Sequence, residues 1–289
     1  SLEKIKAEKT IVVVGFQADR IKEAFRSPQI QFALQEEQLG TGHAVLQAIP
    51  FLKMFTGTVL ILCGDVPLVR ADTLREFIGA FEESHSTLSV LTTVVEHPLG
   101  YGRILRSPEG WLEKIVEEKD ASERERSIRE INTGIYCVKA PFLIDGLREI
   151  GKDNAQGEYY LTDLVEIAKK KGLTCSAHVV SDPVEVMGIN TRVDLAAATE
   201  VLRLEKLRDL MLSGVTMVNP KATYVDQTVE VGKDTLLYPN CHLLGRTKIG
   251  ERCLIEPNVK ISDSIVGDDV AIRSNSVITE SKIEEGVSI

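Results

Sequence analysis

The sequence predicts an α/β domain with a mainly parallel sheet, joined by one long helix to a parallel β-helix. Three observations carry that reading. Short β-branched runs alternate with helical patterns through residue 190, an unbroken leucine-rich stretch follows from Arg192 to Ser213, and an aliphatic residue then recurs every six positions from Val225 onward.

The run Thr10–Gly15 (TIVVVG) is continuous and apolar and is stopped by glycine, as in a buried parallel strand. Residues Ala18–Phe25 read as a short helix and Gln31–Leu34 as a second strand. His43–Lys53 reads as a helix disturbed by Pro50, which removes a backbone donor. Thr58–Cys63 is another buried-type strand, running into Gly64 and Asp65. Ala71–Glu83 reads as a helix, Thr87–Val95 as a strand, and Val184–Met187 as a late strand ended by Gly188–Asn190. Strand and helix in this rhythm give an α/β sheet whose ligands sit at the carboxyl ends of the strands, which singles out Asp65.

From Arg192 to Ser213, leucines at 195, 202, 204, 207, 210 and 212 keep a helical spacing with no proline or glycine until Gly214, which is placed to end the helix. Beyond it, Val225, Val231, Leu237, Leu243, Ile249, Ile255 and Ile261 are each six apart. The register then skips to Val266, continues through Ile272 and Ile278, skips to Ile283 and reaches Ile289. A period of six means three short strands per coil, each aliphatic residue pointing inward; ordinary hairpins have no reason to keep it. Gly232, Gly250 and Gly267 follow aliphatic positions and are read as relieving the corners. The organisation is thus 1–191, 192–214 and 215–289. The repeat is still running at Ile289, so its open coil is expected to be covered by further coils or a partner.

Composition narrows the function. With 34 Lys+Arg against 43 Asp+Glu the net charge is −9, and aromatic residues are 5% of the 289. That excess of acid argues against coating nucleic acid, and the scarcity of aromatics against a base-stacking platform. No apolar run is long enough to span a membrane, and the charged Ser1–Thr10 has no signal-peptide core, so the reading is a cytoplasmic protein. The five cysteines are scattered with no CxxC pair, which points to reduced buried thiols and not to zinc or a disulfide framework.

Several segments carry polar groups suited to chemistry. LGTGH (39–43) precedes a helix: its glycines let backbone approach a ligand and Thr41 is read as the cap, although a simple capped turn looks the same. GDVPL (64–68) sets one carboxylate at a strand end, a good ligand for a hard divalent cation that needs a second ligand from elsewhere; Asn190 offers an amide oxygen. Glu117 and Asn132 are hydrogen-bonding types suited to sugar hydroxyls.

Taken in order, LGTGHA, GDVPL, YGRI, IVEEKDA, INTGIY, NAQGEYYLTD and GIN, followed by the hexapeptide repeat, closely resemble the bacterial bifunctional N-acetylglucosamine-1-phosphate uridyltransferase / glucosamine-1-phosphate N-acetyltransferase family, from about Val12 to Ile289. The resemblance implies a Rossmann-like nucleotidyltransferase domain and a left-handed β-helix. It implies a reaction of UTP with N-acetylglucosamine-1-phosphate to give UDP-N-acetylglucosamine and pyrophosphate. Gln35 and Gly40 would read the uracil edge with Thr41 supporting that loop, and Asp65 and Asn190 would hold the catalytic Mg²⁺. Gly102, Glu117, Asn132, Tyr160 and Thr162 would bind the sugar phosphate and its N-acetyl group. Nucleotidyl transfer requires two anions aligned and their charge neutralised, so no general base is assigned. The family's glycine-rich triphosphate loop has no counterpart in the numbered chain, and without it catalysis is expected to be severely impaired. Its acetyltransferase residues lie in later coils, so acetyl-CoA is implied only for a full-length form, as is the homotrimer of the family. Two other readings stay open: a nucleotidyltransferase for another sugar-1-phosphate, and a non-catalytic nucleotidyltransferase-like regulatory subunit.

Overall fold

The computed structural model describes residues 2–25 and 27–289. The chain forms two compact units, Ser1–Gly188 and Ile189–Ile289, so the long helix goes with the repeat.

In the first unit the elements run α1 (Leu2–Ile5), β1 (Thr10–Val14), α2 (Ala18–Ala24), β2 (Ile30–Leu34), α3 (Thr41–Leu46), β3 (Thr58–Ile61), α4 (Ala71–Glu83) and β4 (Leu88–Val94). There follow β5 (Arg103–Arg106), β6 (Leu112–Val116), α5 (Glu123–Arg126), β7 (Glu130–Lys139), α6 (Ala140–Gly146), α7 (Asp163–Lys170) and β8 (Cys175–Val179). β1 and β2 pair in parallel. The larger sheet has the order β6-β5-β7-β4-β8, with β3 also against β7. β4 and β8 are parallel, whereas β7 runs antiparallel to β3, β4 and β5, and β5 to β6. Strands β3, β4, β5 and β8 therefore share a direction, and the central β7 runs against them.

Side chains alternate across this sheet and feed two cores. Leu88, Val90, Tyr136 and Val138 pack with Leu143, Leu164 and Val165 from α6 and α7. Their neighbours Leu91, Ile135 and Cys137 pack with Leu74, Phe77 and Phe81 of α4, whose apolar residues recur at helical spacing. The expected disturbance at Pro50 is present: α3 stops at Leu46 and a 3₁₀ turn takes Ile49–Leu52. One expectation fails. Pro183–Val186 is a 3₁₀ turn and not the strand read from its valines, because Pro183 fixes the first turn and the Asp182 side chain caps it, accepting from the Val184 amide.

In the second unit α8 (Arg192–Leu212) opens on a capping box, Thr191 accepting from the Asp194 amide while Asp194 accepts from the Thr191 amide. It closes before Gly214, whose φ is +101°. Leu207 and Leu210 join the repeat's core. The coils stack into three parallel sheets that fit a left-handed β-helix, for example Tyr224–Val225, His242–Leu244, Lys260–Ser262 and Val277–Thr279. Val225, Leu237, Leu243, Ile249, Ile255, Ile261, Val266, Ile272, Ile278 and Ile283 are buried, and Ile289 is exposed. Residues two places earlier, such as Thr235, Cys241, Thr247 and Val259, are equally buried and form a second inward row. Tyr224 pairs with His242 and His242 with Lys260, eighteen residues apart, but Lys260 pairs with Val277 after seventeen. Ile265 again pairs with Lys282 after seventeen, so each of the two skips in the sequence is a coil short by one residue. Gly232, Gly250 and Gly267 stack so closely that backbone meets backbone: a Cβ on Gly232 would lie 2.5 Å from the Gly250 carbonyl carbon. The left-handed corners fall instead to residues such as Asn240, Asn258 and Asn275, whose amides hydrogen-bond up the stack at 3.1 Å.

Candidate active site

The end of β3 leads into Cys63, Gly64 and Asp65. Asp65 is exposed, and among the described residues its carboxylate makes no hydrogen bond or ion pair. Burial, helped by the Asp65 charge, pushes the Cys63 thiol up to about 11, so it is an unreactive neighbour. The Cys63 thiol donates to the Gly134 carbonyl at 3.4 Å. Gly134, at φ +78°, forms part of an irregularity where β7 slips against β4, and a Cβ there would strike Cys63 Sγ at 2.5 Å. The same irregularity holds Asn132, whose Oδ1 accepts from the Gly134 amide at 2.9 Å.

Gly102, Glu117 and Asn132 come from β5, β6 and β7 ends and meet. A Cβ on Gly102 would lie 3.4 Å from Glu117 Oε2 and 3.5 Å from Asn132 Cβ, and the Asn132 amide donates to the Gly102 carbonyl at 2.9 Å. Burial raises the Glu117 carboxyl above its ordinary value, with the Thr162 hydroxyl opposing and the charges of Asp120 and Asp163 adding. Thr162 is buried at the start of α7. Tyr160 is buried too; its hydroxyl is sealed from solvent, with the Gln156 side chain beside it. Burial raises it first, and the charges of Asp120, Glu117 and Glu158 act in the same sense.

The loop 39–43 lies on segment 158–161. The Tyr159 amide donates to the Leu39 carbonyl and the Gly42 amide to the Tyr159 carbonyl, both at 2.8 Å. Gly40, at φ +108°, allows this approach, since a Cβ would sit 2.7 Å from the Tyr159 carbonyl oxygen. Thr41 does not cap α3 as read from the sequence. Its hydroxyl accepts from the Leu161 amide at 3.1 Å, while Gly40 holds the cap position without a side-chain bond. Gln35, at the end of β2, is buried and donates through Nε2 to the Gly40 carbonyl at 3.3 Å. Gln35, Gly40 and Thr41, expected from the resemblance to read the base, and Gly102, Glu117, Asn132, Tyr160 and Thr162, expected to bind the sugar, are therefore linked through 158–162.

Asn190 lies in the second unit, exposed, its backbone amide donating to Asp194 at 3.1 Å. Among the described residues no group of three or more His, Cys, Asp or Glu is gathered for a metal. Sequence reading missed two features. His43 contacts Gln35, a link that an isolated motif cannot show. Glu185 is buried and accepts from Thr73 at 2.5 Å and Arg70 at 3.1 Å, fixing the 3₁₀ turn to α4; its partners lie more than a hundred residues away in sequence.

Residues 5–182 match the nucleotidyl transferase family, and residues 228–263 and 246–280 match the bacterial transferase hexapeptide, six repeats. The chain is similar to the bifunctional protein GlmU of Geobacter metallireducens, 56% identical over 88% of this chain and 54% of that protein. It is 49% identical to the protein of the same name from Pelobacter propionicus over 98% of this chain and 62% of the other. With the Geobacter sulfurreducens protein of that name it shares 52% identity over 89% of this chain and 54% of the other. The chain thus spans between about half and three-fifths of the length of the curated relatives it matches.

Proposed function

The chain belongs to the nucleotidyl transferase family, and we propose that it joins UTP and N-acetylglucosamine-1-phosphate into UDP-N-acetylglucosamine and pyrophosphate. The observation that carries this reading is the convergence of Gly102, Glu117, Asn132 and Thr162 on one wall, with the Gln35–Gly40 loop tied to the same 158–162 segment. Small polar groups around a glycine floor suit a sugar, and a fixed amide beside a glycine loop suits a base. On this reading Glu117 accepts from sugar hydroxyls and moves no proton, since the attacking phosphate is already an anion.

A free carboxylate at a strand end fits a hard cation that takes one or two protein oxygens and fills its other positions with phosphate and water. Asp65 meets that description, and Mg²⁺ held there would neutralise charge at the α-phosphate. The resemblance gives Asn190 as its companion; the two residues fall in different units, so the pairing rests on the resemblance. The hexapeptide repeat supports a homotrimer, and the relatives' name, bifunctional protein, supports an acetyl-CoA-dependent second activity in a longer form.

Pyrophosphate release from UTP and N-acetylglucosamine-1-phosphate, measured in the longest expressed form of the protein, tests the reading. Release that requires both substrates and a divalent cation is expected. Preference for a sugar phosphate without the N-acetyl group would transfer the reading to another sugar, and absence of nucleotide binding in the full-length form to the regulatory alternative.

A further inference from the structure

We infer that His43 is a positioning residue for nucleotide choice: it holds the Gln35 amide with its oxygen outward, so that the loop accepts uracil and rejects cytosine. The inference rests on the uridine reading above and deepens it. Gln35 Nε2 lies 3.3 Å from the Gly40 carbonyl oxygen and 3.0 Å from His43 Nδ1. A carbonyl oxygen only accepts, so the NH₂ end of the amide must face it, and the second N–H then points at Nδ1. That requires an unprotonated Nδ1 and puts the neutral ring's proton on Nε2. Gln47 Nε2 lies 3.2 Å from His43 Nε2 and also donates to the His43 carbonyl. The ring can accept at only one nitrogen, and Gln47 is the side chain that yields: it is half-exposed, so turning its amide gives up a bond to the His43 carbonyl that water can replace, whereas Gln35 is buried. The ring itself is held in place by stacking on Tyr159, centroids 6.0 Å apart.

Both amide hydrogens of Gln35 are thereby used inward. Two groups of the loop are left over among the described residues: the Gln35 Oε1 acceptor and the Gly40 backbone N–H donor, neither of which has a hydrogen bond. One acceptor beside one donor complements the N3–H and O4 of uracil. Cytosine presents the reverse, an N3 acceptor and an N4 donor, and would set acceptor against acceptor and donor against donor. An amide can rotate end for end with little change of shape, so Gln35 alone does not decide between the bases. With Nδ1 removed, only the Gly40 carbonyl resists that rotation.

Two variants of the longest expressed form, assayed with UTP and CTP, test this. His43→Phe keeps a ring against Tyr159 and loses the acceptor; His43→Asn places an amide oxygen near the Nδ1 position. The ratio of kcat/KM for UTP to that for CTP is expected to fall about tenfold in His43→Phe, through KM and not kcat, and to recover most of the way in His43→Asn. A merely structural His43 would lower both nucleotides together, and an unchanged ratio in folded His43→Phe overturns the inference while leaving the uridine reading intact. Wild-type protein that turns over neither nucleotide, or prefers CTP, overturns the uridine reading and this inference with it.

Discussion

Asp65 and Glu117 are both carboxylates near the candidate site, yet their surroundings give them opposite tasks. Asp65 is exposed and unpaired among the described residues, so removing it leaves nothing buried without a partner. Asp65→Ala should therefore change stability by no more than about 0.5 kcal/mol while turnover falls by about a hundredfold or more, because charge at the α-phosphate goes unneutralised. Thermal melts and pyrophosphate release on the same samples check both halves; retained turnover would end the metal assignment. Glu117 is different, because burial raises its carboxyl above the ordinary value. The folded state thus favours the proton. The contribution is fully present below the unfolded carboxylate pKa, about 4.3, and is lost as pH rises through the raised folded value. Glu117→Gln has no such loss, so its melting temperature should gain on the native protein as pH climbs out of the acid range, while its KM for the sugar phosphate rises about tenfold. Parallel melting curves against pH would show that burial does not govern Glu117.

Elements were legible in the sequence where local chemistry decides them. Helix α4 has the bounds its apolar spacing implied, and the six-residue period located the β-helix because inward positions must recur with the coil. Elements and contacts decided at long range were not. Thr41 bonds an amide 120 positions on, and the direction of β7 depends on which distant strands flank it. The valines of 184–187 suggested a strand, but Pro183 and Asp182 made a turn. Glycine shows the same division. Gly79 in α4 has open space where a Cβ would go, so Gly79→Ala should stabilise by about 0.5–1 kcal/mol through helix propensity. Gly232 meets the Gly250 backbone, so Gly232→Ala should destabilise by about 1–3 kcal/mol. Denaturant titration of the two variants checks the signs, and a stabilised Gly232→Ala would mean that the stacked corner can yield.

At the scale of the whole molecule the two units carry separate cores. One cluster draws on residues from Leu207 to Ile283, and the clusters of the first unit draw on residues no later than Val186. Every residue named for base and sugar lies in the first unit, while Asn190 and the repeat lie in the second. A cavity made in the repeat should then be felt by the repeat. Leu237 is fully buried in that core, and Leu237→Ala removes contacts that its stacked neighbours supply from the coils on either side, at a cost of about 2–5 kcal/mol. Hydrogen exchange followed by mass spectrometry can read this segment by segment. Peptides from 215–289 should lose protection, because each coil's backbone bonds are made to the next coil and fail with it. Peptides covering β3, β4 and β7 should keep theirs, since none of their core partners is in the repeat. Equal loss in both sets would mean that the molecule opens as one cooperative body, and that the repeat contributes to the stability of the candidate site as well as carrying its own.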